Sequence, residues 1–230
     1  MSEAAVVWSQ MTPEFWESVF LTLRLAFVST LLLMVLGLPI AHWLNRSRWR
    51  GIIFIETLVT MPIVLPPTVI GFYLLVIFAP QHAPGALWKA VTGHTLAFSF
   101  SGLVVGSIIY SLPFALQPFQ AALRSVPDLY VEAAKVEGAS TWQIFRNVNL
   151  PLAWRGIMVG IVLSFAHTVG EFGIVLMLGG SIPGQTKVAS IALYDEMQKL
   201  NYSLAEAYAL TLLAISFTLI FFISLLKRKD

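Results

Sequence analysis

The sequence predicts an all-α integral membrane protein: one transmembrane domain over residues 1–230, built as a bundle of about five helices with a polar loop between two of them. Two observations predict this class. The chain is 57% hydrophobic and only 11% charged, whereas charged residues make up about a quarter of a typical soluble domain. Four stretches also lack Asp, Glu, Lys and Arg over a bilayer-spanning length of about 20 residues: 25–45, 57–88, 90–123 and 207–226.

A further apolar region, residues 156–178, is interrupted only by Glu171. The predicted spans are therefore 17–44, 53–79, 99–123, 153–178 and 205–226. The count becomes six if the fourth region is broken near residues 170–173 and a second short helix follows at the outer surface, at about 189–200.

The basic residues orient these spans. Three of them lie in loops on one side, Lys89, Lys187 and Lys199, and Arg24 lies inside the first span. Ten lie on the other side: Arg46, Arg48, Arg50, Arg124, Lys135, Arg146, Arg155, Lys227, Arg228 and Lys229. Because Lys and Arg concentrate in cytoplasmic loops, residues 125–151 and the carboxyl terminus are predicted to be cytosolic. Five spans then put the amino terminus outside.

Several classes of protein are disfavoured by composition. Residues 1–14 contain Glu3 and Glu14 but no Lys or Arg, so the basic region of a cleavable signal is missing. The net charge of +2 is too small to indicate a nucleic-acid partner. The chain has no Cys, so cysteine usage does not indicate a redox compartment. A membrane metalloenzyme needs clustered ligands, whereas the four histidines are scattered without ligand spacing: His42, His82, His94 and His167.

Prolines interrupt one of the predicted spans, and glycine pairs occur in two others. Pro62, Pro66 and Pro67 each lack the N–H that bonds the preceding turn, so the second helix must kink or unwind there. Carbonyls freed in a bilayer must be buried in protein or face a wet cavity. Two interpretations stay open: a packing kink, or a pore-lining break where Thr68 offers a hydroxyl. Glycine pairs at 102 and 106 and at 156 and 160 put small residues on one helix face, which more often marks close packing.

The polar loop, residues 125–151, carries helix-start and helix-stop signals. Ser125 and Asp128 predict a capping box that starts a helix at about 126–137, with Pro127 in its first turn. Gly138 can end that helix with a positive φ.

After this glycine, Ser140 and Gln143 predict a second capping box. Leu150-Pro151 then predicts an extended residue before the next span. The result is a helix–Gly–helix elbow at the cytosolic surface. Its apolar side chains could dock onto a partner, or the elbow could simply lie on the lipid head groups; they are Leu129, Ala133, Val136, Trp142 and Phe145.

The spacing in this loop resembles the EAA loop of bacterial ABC importer permeases. It reads Glu-Ala-Ala, three residues, Gly, nine residues, Val, one residue, Leu-Pro. In that family the loop helix inserts into a cleft of a cytosolic ATPase. The resemblance therefore implies that this chain is coupled to an ATPase through Glu132, Ala133, Ala134, Gly138, Leu150 and Pro151.

The chain has no ATP-binding loop of its own. The segment GGSIPGQT at 179–186 has the glycine spacing of a phosphate-binding loop, but Gln185 stands where the phosphate-binding Lys must be. No cofactor is therefore expected on this chain, and ATP and Mg²⁺ belong to the partner ATPase. A membrane scaffold that transports nothing is the alternative, and it predicts that reversing the charge of Glu132 leaves uptake and complex formation intact.

Further segments extend the resemblance over nearly the whole chain: VLPPTVIGFYLL at 64–75, AFSF at 97–100, GEFG at 170–173 and SIPGQTK at 181–187. Together with the loop they are similar to the molybdate branch of the permease family; sulfate and tungstate are the alternative cargoes. The resemblance implies a homodimer in the bacterial inner membrane, two cytosolic ATPase subunits and an extracytoplasmic binding protein. Members of the family often have Arg at the position of His167, which puts a fixed positive charge there in doubt.

Glu171 is the residue that fits this cargo least. A carboxylate in an apolar span is costly and suggests function, yet it would repel a dianion. It is interpreted either as a structural or gating group, hydrogen-bonded to backbone or to His167, or as part of a helix break near the membrane surface. Oxyanions suit hydroxyls, N–H groups and helix N-termini. The pathway and gate candidates are therefore Pro66, Pro67, Thr68, Thr168 and Glu171.

Overall fold

The computed structural model describes residues 12–47 and 49–227. Within these ranges all regular secondary structure is helical, as the composition predicts. The predicted position of the amino terminus outside the membrane depends on residues 1–11, which lie outside the described residues. So do Arg48 and two of the carboxyl-terminal basic residues, Arg228 and Lys229.

The described chain runs through α1 (Pro13–Arg46), α2 (Ile52–Thr60), α3 (Pro67–Phe78), α4 (Ala83–Thr92), α5 (Phe100–Arg124), α6 (Asp128–Val136), α7 (Thr141–Ile144), α8 (Leu150–Val169), α9 (Gly173–Gly179), α10 (Ala189–Gln198) and α11 (Tyr202–Lys227). A 3₁₀ turn, Met61–Ile63, follows α2, and a π-helical turn, Phe145–Asn149, joins α7 to α8.

Four of the described helical segments are long and apolar enough to cross a membrane: 13–46, 100–124, 141–169 and 202–225. A further span is formed by two segments, 52–63 and 67–78, which meet at an angle of 111°. Counting this bent pair as one span gives five, the predicted number.

The prolines explain the bend. Pro62 lies in the 3₁₀ turn, and Pro67 is the first residue of α3. Pro66, the N-cap of α3, has φ −56° and ψ 133°, which is outside the helical region. A proline cannot donate to the preceding turn, so the first half of the span ends here and the second starts in a new direction. The predicted kink is confirmed.

The fourth apolar region is not one continuous span, so the prediction of a single helix over 153–178 is wrong. Helix α8 ends at Val169 and α9 starts at Gly173, which is the break that the sequence left open. The short helix expected at about 189–200 is present as α10. The break is held by packing, because a Cβ on Gly173 would lie 2.8 Å from the Cβ of Pro67.

Helix α5 packs against α1 on one side and α8 on the other. Phe119 is fully buried at this junction, and the two glycines of α8 let helix α5 pack closely against it. A Cβ on Gly160 would lie 2.7 Å from the Phe119 ring, and one on Gly156 would lie 2.5 Å from the Cβ of Ala122. Small residues let membrane helices approach closely, so this glycine pair serves packing.

Candidate functional site

The polar loop folds as the predicted elbow. Helix α6 ends one residue before Glu137, and Gly138 turns the chain with φ +82°. Ser140 then starts α7 with a complete capping box: its Oγ accepts from the Gln143 N–H at 3.3 Å, and the Gln143 side chain accepts from the Ser140 N–H at 2.7 Å. The positive φ at Gly138 and the second capping box are confirmed.

Two details of the elbow are wrong in the sequence-based prediction. Ser125 does not cap α6, because its hydroxyl donates to the Ala122 carbonyl at 2.8 Å, and α6 starts only at Asp128 with Pro127 as N-cap. The physical reason lies at Val126. A residue before proline disfavours helical backbone, and this side chain is buried in the core, so the chain must enter α6 from an extended turn.

The second error concerns Leu150. It has helical angles, φ −63° and ψ −47°, instead of the extended backbone expected before Pro151. The π-helical turn just before it, Phe145–Asn149, widens the helix there. Pro151 then occupies the first turn of α8, where its missing N–H is tolerated. The elbow therefore runs into the fourth span as one helical segment.

The two halves of the elbow differ in burial. Helix α6 has no buried residue: Leu129 and Val136 are 72% and 88% exposed, Glu132 and Ala133 are exposed, and Ala134 is half-buried. The second half is anchored by two buried side chains, Ile144 and Phe145. Gly138 is exposed, as is Pro151, while Leu150 is half-buried. The first half therefore presents apolar side chains that no described part of the chain covers.

A cavity of about 460 Å³ lies where the two helix breaks meet. The break between α2 and α3 contributes Pro67 and Thr68 to its wall, and the break between α8 and α9 contributes Glu171. Three of the five predicted pathway residues thus line one cavity. Two further residues line the wall, Tyr110 and His167. The sequence predicted His167 only as a possible partner of Glu171, and no local signal singles out Tyr110.

The other two predicted pathway residues do not line the cavity. Pro66 is exposed at the bend. Thr168 is buried behind the wall, and its hydroxyl donates to the Ser164 carbonyl at 3.0 Å while lying 3.0 Å from Ser111 Oγ. The Thr168 hydroxyl therefore ties α8 to α5.

Glu171 lies in the cavity wall with only 4% of its surface exposed. Among the described residues, neither carboxylate oxygen has a hydrogen-bond partner, so the expected bond to backbone or to His167 is not formed. Instead His167 Nδ1 lies 2.9 Å from Ser111 Oγ, and its ring stacks on Phe114 at 3.8 Å. The Glu171 main chain is held, because its carbonyl accepts from Ser190 Oγ at 2.6 Å.

The segment after α9 is tied down by its own hydrogen bonds. Thr186 Oγ1 donates to the Gly179 carbonyl at 2.7 Å and accepts from the Ile182 N–H at 3.1 Å. Lys187 Nζ lies 3.4 Å from Asp195 Oδ2, so its charge is matched within the chain. Gln185 stays exposed.

On α10, Glu196 forms a second charged pair. Its Oε1 accepts from Lys199 Nζ at 2.7 Å, and its Oε2 accepts from Asn201 at 2.9 Å. Burial acts to raise the pKa of Glu196, but these hydrogen bonds outweigh it and hold the pKa below its usual range.

The fold and the elbow define a class: a multi-pass helical membrane protein that offers an uncovered amphipathic elbow at one end of the bundle. Residues 33–229 match the family described as binding-protein-dependent transport system inner membrane component. The chain belongs to this family, whose members are transport components of the inner membrane and not enzymes.

Individual relatives agree with the family. The chain is 44% identical over 201 residues to the molybdenum transport system permease protein ModB of Azotobacter vinelandii, which covers 87% of this chain and 89% of the relative. It is 32% identical over 226 residues to the sulfate transport system permease protein CysT of Escherichia coli, covering 98% and 81%. Among solved structures, a bacterial ABC transporter that imports the acidic polysaccharide alginate aligns with a TM-score of 0.77 at 19% identity, covering 97% of this chain and 82% of that one.

Proposed function

We propose that this chain is the permease subunit of an ATP-driven ABC importer and that its cargo is molybdate. The observation that carries the class is the uncovered elbow within a family of transport components. The cargo is supported by the relatives: the molybdenum permease of Azotobacter vinelandii is 44% identical, against 32% for the sulfate permease of Escherichia coli.

The elbow is the site at which the ATPase acts. Helix α6 carries exposed apolar side chains at its two ends, Leu129 and Val136, and an amphipathic helix with nothing on its apolar face is suited to a groove on a partner. Gly138 lets the two halves of the elbow meet at an angle. Glu132 and Ala133 are exposed on the same helix and contact the ATPase, which binds ATP and Mg²⁺.

The cavity between the two helix breaks lies on the translocation pathway. Broken backbone is tolerated at membrane depth where it lines a water-filled cavity, and both breaks reach this cavity. In the first turn of α3 the prolines have no N–H, and the N–H groups of Val69 and Ile70 donate to the Pro66 carbonyl. Thr68 therefore offers the anion its backbone N–H and its hydroxyl. No ion pair joins Glu171 to a cation among the described residues, which fits a gating or structural role better than contact with a dianion.

The complete transporter is a homodimer of this chain with two cytosolic ATPase subunits and an extracytoplasmic binding protein. A two-fold axis presents two identical elbows to the two ATPases. The excess of basic residues puts the elbow and the carboxyl terminus in the cytosol and the amino terminus outside. The surrounding apolar surface contacts lipid.

Reconstitution with these partners tests the proposal. The permease and its ATPase are placed in liposomes, and ATP hydrolysis is measured with binding protein loaded with molybdate, tungstate or sulfate. Stimulation by the molybdate-loaded protein alone supports the proposal, whereas equal stimulation by sulfate removes the assignment of cargo. The second candidate, a sulfate permease, is kept because the similarity to the sulfate protein covers 98% of this chain.

A further inference from the structure

A second cleft, of about 250 Å³, lies where the elbow joins the bundle. Four parts of the chain meet around it. The last turn of α1 contributes His42 and Arg46, the end of α5 contributes Arg124, the first turn of α6 contributes Asp128, and the π-helical turn contributes Asn149. The cleft is remote from the pathway cavity and shares no lining residue with it.

The two guanidinium groups in this cleft differ in their surroundings. Arg124 is engaged within the protein: its Nε donates to Asn45 Oδ1 at 2.8 Å, and its Nη2 lies 3.5 Å from Glu56 Oε1. The side chain of Arg46 has no hydrogen bond or ion pair with any residue that the structure describes. The exposed guanidinium of Arg46 is therefore available to bind an anionic group at the end of α1.

Groups of the opposite character are left unmatched on the other wall. Over the same part of the chain, the carboxylate of Asp128 has no ion pair. Asn149 is 93% buried, and its Oδ1 has no hydrogen-bond partner among the described residues. On the α1 wall, beside Arg46, His42 Nε2 also lacks such a partner. A buried acceptor without a donor is unfavourable, and a ligand with an N–H donor in the cleft would satisfy it.

These groups specify a ligand that carries both charges. An inorganic anion would satisfy Arg46 but would face the carboxylate of Asp128, and a simple cation would meet the reverse problem. A zwitterion satisfies both, with an anionic group on Arg46 and an N–H donor on Asp128 and Asn149 Oδ1. The volume admits a phosphate, an ethanolamine and a few waters of about 30 Å³ each.

The position of the cleft identifies the source of such a group. It lies at the ends of α1 and α5, both long and apolar enough to cross a membrane. Near the same end of α1 along the chain, Trp43 and Trp49 are 50% and 63% exposed, and exposed tryptophans mark the level of the lipid head groups. We propose that this cleft binds the head group of an aminophospholipid, with its phosphate on Arg46 and its primary ammonium on Asp128 and Asn149.

Lipid retention tests the proposal. The permease, purified in detergent as its complex, is incubated with equal amounts of phosphatidylethanolamine and phosphatidylcholine of identical acyl chains, and bound lipids are counted by native mass spectrometry. Phosphatidylethanolamine should be retained about tenfold better, because a trimethylated ammonium cannot donate a hydrogen bond. Arg46→Gln should weaken retention of both lipids about tenfold, and Asp128→Asn should reduce the preference for phosphatidylethanolamine, because Asn149 remains as an acceptor.

Arg50→Gln is the matched control, since Arg50 is an exposed basic residue near the same helix end that does not line the cleft; it should retain lipid as the unaltered protein does. Equal retention of the two lipids by the unaltered protein overturns the proposal, and so does an Arg46→Gln variant that folds normally and loses nothing, because the cleft then holds water only. Full displacement of the lipid by an equal concentration of O-phosphoethanolamine, which has no acyl chains, overturns it in favour of a soluble ligand.

Discussion

Replacing Gly138 by Ala strains the hinge of the elbow without a collision. The residue has φ +82°, and a Cβ built there meets no atom within 4 Å. An L-residue in this region costs about 1–2 kcal/mol. Because α6 has no buried residue, the free elbow can relax this strain, and docking onto the ATPase restores it. The expected loss of ATPase affinity is therefore about 5- to 30-fold.

The assay is the binding of purified ATPase subunit to the permease in nanodiscs, together with hydrolysis stimulated by loaded binding protein. Gly93→Ala is the matched control, because Gly93 has φ +78° and equally open surroundings but ends α4, away from the elbow. Gly138→Asn should recover much of the affinity, since Asn tolerates this conformation. The reasoning is refuted if Gly138→Ala binds the ATPase as tightly as the unaltered protein, or if Gly93→Ala weakens binding equally.

Substitutions at three further positions probe the elbow, the pathway and the bundle. Val136→Asp places a charge on the apolar face of α6 and should abolish ATPase binding in the same assay while leaving the thermal unfolding of the permease unchanged. Glu171→Gln replaces a buried carboxyl group that forms no ion pair with any described residue, so molybdate uptake into vesicles should persist, whereas Glu171→Lys should lower the yield of folded protein. Gly160→Leu forces methyl groups into the Phe119 ring and should lower the free energy of unfolding in detergent by about 1–3 kcal/mol.

Each of these has its own control or contrary outcome. Val91 on α4 is similarly exposed, at 79%, so Val91→Asp should leave ATPase binding intact; a loss there would point to a general effect of the added charge. Loss of uptake in Glu171→Gln with normal folding would mean that the ionised carboxylate is required. A Gly160→Leu variant as stable as the unaltered protein would contradict the close packing of α5 and α8.

The elbow illustrates what local sequence signals can predict. Gly138 and the pair Ser140–Gln143 act through residues a few positions apart, and both behave as expected. Ser125 and Leu150 carry equally plausible local signals, but the predicted capping box at Ser125 and the predicted extended backbone at Leu150 are both wrong. At Ser125, the buried side chain of the neighbouring Val126 makes the chain enter α6 from an extended turn. At Leu150, the preceding π-helical turn lets the helix continue, with the proline that follows in the first turn of α8.

Some features of the pathway candidates could likewise be predicted from the sequence, and others could not. A proline or a carboxylate in an apolar segment stands out in any sequence, which is why Pro67 and Glu171 were found. Nothing in the sequence says that the hydroxyl of Thr168 is used between helices, or that the Glu171 carboxylate lacks the partner expected for it. These depend on which side chains a neighbouring helix brings close.

By itself the sequence determined that this chain is a helical membrane protein with five spans, a bend at its prolines and a hinged polar elbow. Hydropathy and turn chemistry carry that information because each acts over a short stretch of chain. Only the tertiary structure decided that the two breaks meet in one cavity and that the elbow meets α1 and α5 around a polar cleft. The cavity follows from the close approach of α3 and α9, where Gly173 against Pro67 leaves no room for a side chain. The cleft follows from contacts between helices distant in the chain, His42 with Phe145 and Asn45 with Arg124.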